Sequence, residues 1–91
     1  MHFPSGYVPG VPSAYLFQKL TRPLVTKDGR TLRTVLDARA YMLALPKHRE
    51  TSARWQYAAE LLLDGADVAD FGKQVELALF YDAKLDVAAM A

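Results

Sequence analysis

Between Val68 and Leu85 the apolar residues fall on two neighbouring helical stripes. Val68, Phe71, Val75, Ala78 and Leu79 form the first, and Leu77, Phe80, Tyr81 and Leu85 the second. Such a helix needs cover on two sides. The chain has 91 residues, enough for one domain and one modest core. One stripe is therefore expected to face that core and the other to seek a partner.

The segment upstream sets the fold class. Thr34-Val-Leu-Asp37 has the form of a capping box, with aspartate in place of glutamate, and predicts a first helix over about Leu36–Leu45, stopped by Pro46. Val35, Ala38, Met42 and Leu45 mark its apolar side. Thr51 or Ser52 can cap a second helix, whose stripe is Trp55, Ala58, Ala59, Leu62 and Ala66, with Asp64-Gly65 as the stop. Asp67 caps the third helix, expected from Val68 to about Lys84, with Gly72 as its weak point. The tail, 87–91, is expected to fray.

Before these helices, Asp28-Gly29 stands between two β-prone runs, the pattern of a two-residue type I′ hairpin with strands at about 23–27 and 30–34. Such a turn pairs Val25 with Leu32 and Leu24 with Arg33. The expected fold is mainly α: a small three-helix domain, residues 22–91, carrying a two-stranded hairpin over about 23–34.

Residues 1–21 read as an extended arm. Pro4, Pro9 and Pro12 with Gly6 and Gly10 oppose regular structure, while Phe3, Tyr7, Tyr15 and Phe17 are too aromatic for a solvated linker. The arm is expected to lie on its own domain or on a second chain.

Charge is divided along the chain. Residues 1–55 carry nine Lys/Arg against three acids, and residues 56–91 two Lys against seven acids, so +6 and −5 give the net +1. This split suits three arrangements: a basic nucleic-acid surface, complementary self-association, or neutralisation within the molecule. For nucleic acid the candidates are Arg30, Arg33, Lys47, Arg49 and Arg54, with Arg22, Lys27 and His48 nearby. Trp55 could stack on a base, but it falls on the core stripe of the second helix. The acids of the third helix would repel a duplex.

Composition closes several chemistries. Without cysteine there is no disulfide, thiolate nucleophile or cysteine-held metal. Gly-x-Ser-x-Gly, His-Glu-x-x-His, P-loop and Gly-x-Gly-x-x-Gly patterns are absent. His48 with Glu50 is weak as a metal pair, and Asp64, Asp67 and Asp70 lack the EF-hand order. No enzyme, cofactor or metal is expected. No apolar run approaches the roughly 18 residues of a membrane span, and the N-terminus lacks a secretory pattern, so the expected setting is cytoplasmic.

The sequence therefore points to a small protein-binding, regulatory or accessory subunit, expected to form a homo-oligomer. Its partner-binding candidates are Phe3, Tyr7, Tyr15, Phe17, Leu77, Phe80 and Tyr81. A nucleic-acid-binding regulator is the alternative.

Overall fold

The structure, a computed structural model, describes residues 12–90. Pro12, in an extended conformation, precedes the single-turn helix α1 (Ser13–Leu16). The chain then forms β1 (Lys19–Val25) and β2 (Thr31–Thr34), followed by α2 (Val35–Leu43), α3 (Lys47–Glu50), α4 (Ala53–Leu63), α5 (Val68–Tyr81) and α6 (Val87–Met90). The molecule is mainly helical with one antiparallel two-stranded hairpin. The three expected helices correspond to α2, α4 and α5, and α1, α3 and α6 are short additions among the described residues.

The helix starts follow local chemistry. The Thr34 hydroxyl accepts from the Asp37 N–H while the Asp37 carboxylate accepts from the Thr34 N–H, closing the capping box of α2. Ser52 caps α4 through the Trp55 N–H, and Asp67 caps α5 through the Ala69 N–H.

The two long helices end in the same motif. At the end of α4 the N–H groups of Gly65 and Ala66 donate to Leu62 and Leu61, and Gly65 takes φ +65°. At the end of α5 the N–H groups of Ala83 and Lys84 donate to Phe80 and Leu79. Both are Schellman closures, but the second puts alanine, φ 59°, where glycine is favoured. This turn stops α5 at Tyr81, short of the expected Lys84.

The hairpin departs from expectation in its register. Leu24 pairs with Leu32 and Val25 with Thr31, one residue away from a two-residue Asp-Gly turn. Gly29 is the cause. Its N–H donates to the Thr26 carbonyl at 3.2 Å, and the Thr26 N–H donates to the Arg30 carbonyl at 2.8 Å. The loop therefore has three residues, with Gly29 (φ 87°) in the left-handed position that follows a type I turn. Upstream, β1 advances from Lys19 to Leu24 while β2 moves only from Thr34 to Leu32. Pro23, which has no N–H for the ladder, lies in that irregular stretch.

The core lies between the hairpin and α2, α4 and α5. Leu24 and Leu32 meet Val35 and Ala38 of α2, Trp55, Ala58 and Leu62 of α4, and Phe71, Val75, Ala78 and Leu79 of α5. Tyr41 is buried in place of the expected Met42 and Leu45, which are only partly covered. Gly72 faces β1, where an added Cβ would come 3.6 Å from Leu20 Cδ2.

The arm boundary needs correction. Tyr15 and Leu20 are core residues, and the Tyr15 hydroxyl donates to the Ala66 carbonyl at 2.6 Å. Residues 13–21 thus belong to the domain. At the other end, 87–90 form α6 in place of the expected frayed tail, its start capped by the Asp86 carboxylate accepting from the Ala89 N–H.

Candidate interaction surface

The first apolar stripe of α5 is buried from Phe71 to Leu79, with Val68 partly covered, while the second stands open. Leu77 is 42%, Phe80 58% and Tyr81 57% exposed. Of that stripe only Leu85 is covered, since the turn at Ala83 carries it back to the hairpin, where it bridges Thr26. Helical spacing sets Leu77 beside both Phe80 and Tyr81.

The open face is broadened from α4. Tyr57, 51% exposed, lines one groove of about 980 Å³ together with Leu77, Phe80 and Arg22. The Phe80 and Tyr81 rings meet edge to face, with centroids 5.7 Å apart. Arg54 lays its guanidinium 3.8 Å from the Tyr81 ring centroid. Its carbonyl accepts from the Gln74 side chain, tying the start of α4 to the middle of α5. The surface therefore combines Phe, Tyr, Leu and Arg on two packed helices, the residue types that supply most interface energy.

A second constellation uses polar groups from five parts of the chain. Asp82, at the end of α5, accepts from Arg49 Nε at 2.6 Å and from the Trp55 indole N–H at 2.7 Å through the same oxygen, Oδ2. Arg49 also donates to the Tyr41 hydroxyl, which donates in turn to Asp28 of the hairpin loop, each at 3.0 Å. Burial pushes the Tyr41 phenol above its ordinary pKa. Burial also acts to raise Asp28, but bonds from Thr26 and Tyr41 and the charge of Arg49 outweigh it, and the carboxyl sits below its usual range. For Arg49, burial opposes the charge, and the bonds to Tyr41 and Asp82 more than restore it. These groups are engaged with one another, so the arrangement works as a latch joining hairpin, α2, α3, α4 and α5.

The latch and one surface pair bear on the divided charge. Arg49–Asp82 and Arg22–Glu76 each join a base of the first 55 residues to an acid of the last 36. Part of the +6/−5 split is therefore neutralised inside the molecule.

Of the partner-binding candidates, the structure brings together Leu77, Phe80 and Tyr81. Phe17 is exposed at the end of α1, outside that helix face. Tyr15 is buried and bonded internally, which removes it from any partner surface. Phe3 and Tyr7 lie outside the described residues. Among the nucleic-acid candidates, Arg30 and Arg33 are exposed on the hairpin and Lys47 on α3, whereas Arg49 serves the latch and Arg54 stacks on Tyr81. Trp55 is buried and offers no stacking face.

Sequence reasoning missed Tyr57, which stands off the α4 core stripe, and the latch, whose members share no local pattern. The one available signal was Trp55, because a buried indole N–H requires an acceptor.

Among the described residues no group of three or more His, Asp or Glu is placed to hold a metal ion. No helix there is long and apolar enough to cross a membrane. No family model matches the chain, and comparison with curated proteins and with solved structures found no match. The fold and surface define a small, mainly helical protein with a hairpin and an open aromatic helix face.

Proposed function

We propose that the protein is a non-catalytic interaction subunit that self-associates through the α4–α5 face, in a cytoplasmic setting. The observation carrying this reading is that Leu77, Phe80 and Tyr81 remain open on α5 and continue onto Tyr57 of α4. Aromatic anchors and an arginine on rigid helices lose little conformational freedom on association. The rim also suits a second copy. It carries Lys73 and Asp70 beside the internally paired Arg22 and Glu76, so a two-fold interface can set Lys73 of one copy against Asp70 of the other. A single-sign rim would instead call for an oppositely charged partner.

Light scattering of the unmodified protein and the Phe80→Ser/Tyr81→Ser double variant tests the proposal at low and high salt. The expected result is a dimer or larger assembly that survives salt, and a helical monomer for the variant. An assembly unchanged by the double substitution, or a monomeric unmodified protein at high concentration, would remove self-association through this face.

A further inference from the structure

A second groove lies on the other side of α4. Ala59 and Leu63 point away from Tyr57 and Leu61 at helical spacing, and they line a space of about 360 Å³ with Leu16, Met42, Leu43 and Leu45. The space is apolar, and Leu63 is 55% exposed on its edge. Arg39 and Glu50 stand on its border.

We propose that this groove is the seat of residues 1–11 of the same chain, with Phe3 and Tyr7 as the side chains that fill it. Three observations select this occupant. Leu16, four residues beyond Pro12, lines the groove, so the segment is tethered close to it. Nine residues at about 3.3 Å each reach roughly 30 Å from Pro12 to Phe3, enough to cross between α2 and α4. The volume also matches: a cavity of about 150 Å³ accepts one benzene ring, so 360 Å³ has room for the two rings that the segment carries. Tethering gives these rings an effective concentration that a free partner would have to exceed. Pro4 and Pro9 reduce the freedom lost on docking, and Arg39 and Glu50 can bond the backbone or the Tyr7 hydroxyl at the border.

The inference is independent of the α4–α5 face, and its test reads a different side of the molecule. The full chain is labelled with ¹³C at its methionine methyls, of which Met42 lines the groove and Met90 packs elsewhere on the core. The expected result is nuclear Overhauser contact between the Met42 methyl and the ring of Phe3 or Tyr7, unchanged on dilution. Phe3→Ser/Tyr7→Ser should move the Met42 resonance and leave Met90 in place. Leu63→Glu, at a position already open to water, should abolish the same contacts in a folded chain. A Met42 methyl indifferent to Phe3→Ser/Tyr7→Ser overturns the proposal. So do ring contacts that fade on dilution, because they assign the groove to another molecule's segment.

Discussion

The indole nitrogen of Trp55 lies 2.7 Å from Asp82 Oδ2, so a buried tryptophan on α4 is satisfied by the residue that ends α5. Arg49 shares that oxygen. Replacing Asp82 by alanine leaves an indole N–H and a guanidinium without their acceptor, at a cost of about 2–3 kcal/mol for a partly screened site. Asp82→Asn, which keeps an acceptor oxygen, should lose less. Urea unfolding followed by Trp55 fluorescence ranks the two.

Two backbone positions should respond in opposite directions to the same pair of residues. Ala83→Gly removes the Cβ from a left-handed residue at φ 59° and is expected to stabilise by about 1 kcal/mol. Gly72→Ala adds a Cβ at ordinary contact distance from Leu20 inside a helix, and should stabilise by about 0.5–1 kcal/mol through helix propensity. Thermal unfolding of the single and double variants checks both, and the gains should add, since the sites share no partner.

Tyr15→Ala and Phe17→Ala separate a core residue from a surface residue of the same short segment. The ring is buried and its hydroxyl bonded to Ala66, so truncation should cost about 3 kcal/mol, within the range for buried aromatic residues. Phe17→Ala, at a position 69% exposed, should cost less than about 0.5 kcal/mol. Denaturant midpoints of the two variants give the comparison.

The Tyr41–Asp28 bond makes stability depend on pH at both ends. The carboxyl of Asp28 is held below its usual range in the fold, so its contribution is present above the unfolded value of about 3.9 and is lost as pH falls through the folded value. Asp28→Asn should flatten this acid limb. Tyr15 and Tyr41 are raised by burial. Their neutral forms favour the fold below the unfolded value of about 10, and that advantage is lost as pH rises through the folded values. Unfolding midpoints from acid to alkaline pH, with ultraviolet detection of tyrosinate, should show both limbs.

Local chemistry was legible where a signal and its consequence lie within one turn. The Thr34–Asp37 box, the Ser52 and Asp67 caps and the Gly65 stop are of this kind. The hairpin position was readable from Asp28-Gly29, but its register was not, because Gly29 serves equally well in a two-residue or a three-residue turn. The end of α5 was hidden for a related reason. A Schellman closure on Ala83 carries no glycine to announce it. The core roles of Tyr15 and Leu20 were masked by the prolines and glycines just before them, which lend their character to the whole stretch. The two stripes of α5 were visible in sequence, and the second is the one that leaves Leu77, Phe80 and Tyr81 exposed. The latch was not, since Asp28, Tyr41, Arg49, Trp55 and Asp82 meet only once five segments have assembled.

The turn at Ala83 has a consequence for how the chain is made. The Lys27 N–H donates to the Lys84 carbonyl, and the Asp86 N–H donates to the Val25 carbonyl, so the hairpin is completed by residues made long after it. Until residues 84–86 emerge, the hairpin lacks these two backbone bonds and α5 lacks its closing turn. The fold is accordingly expected to close only once residues 84–86 are available, with the nascent chain exposing Leu24, Leu32 and Phe71 in the meantime. Quality-control factors would meet this protein chiefly in that interval.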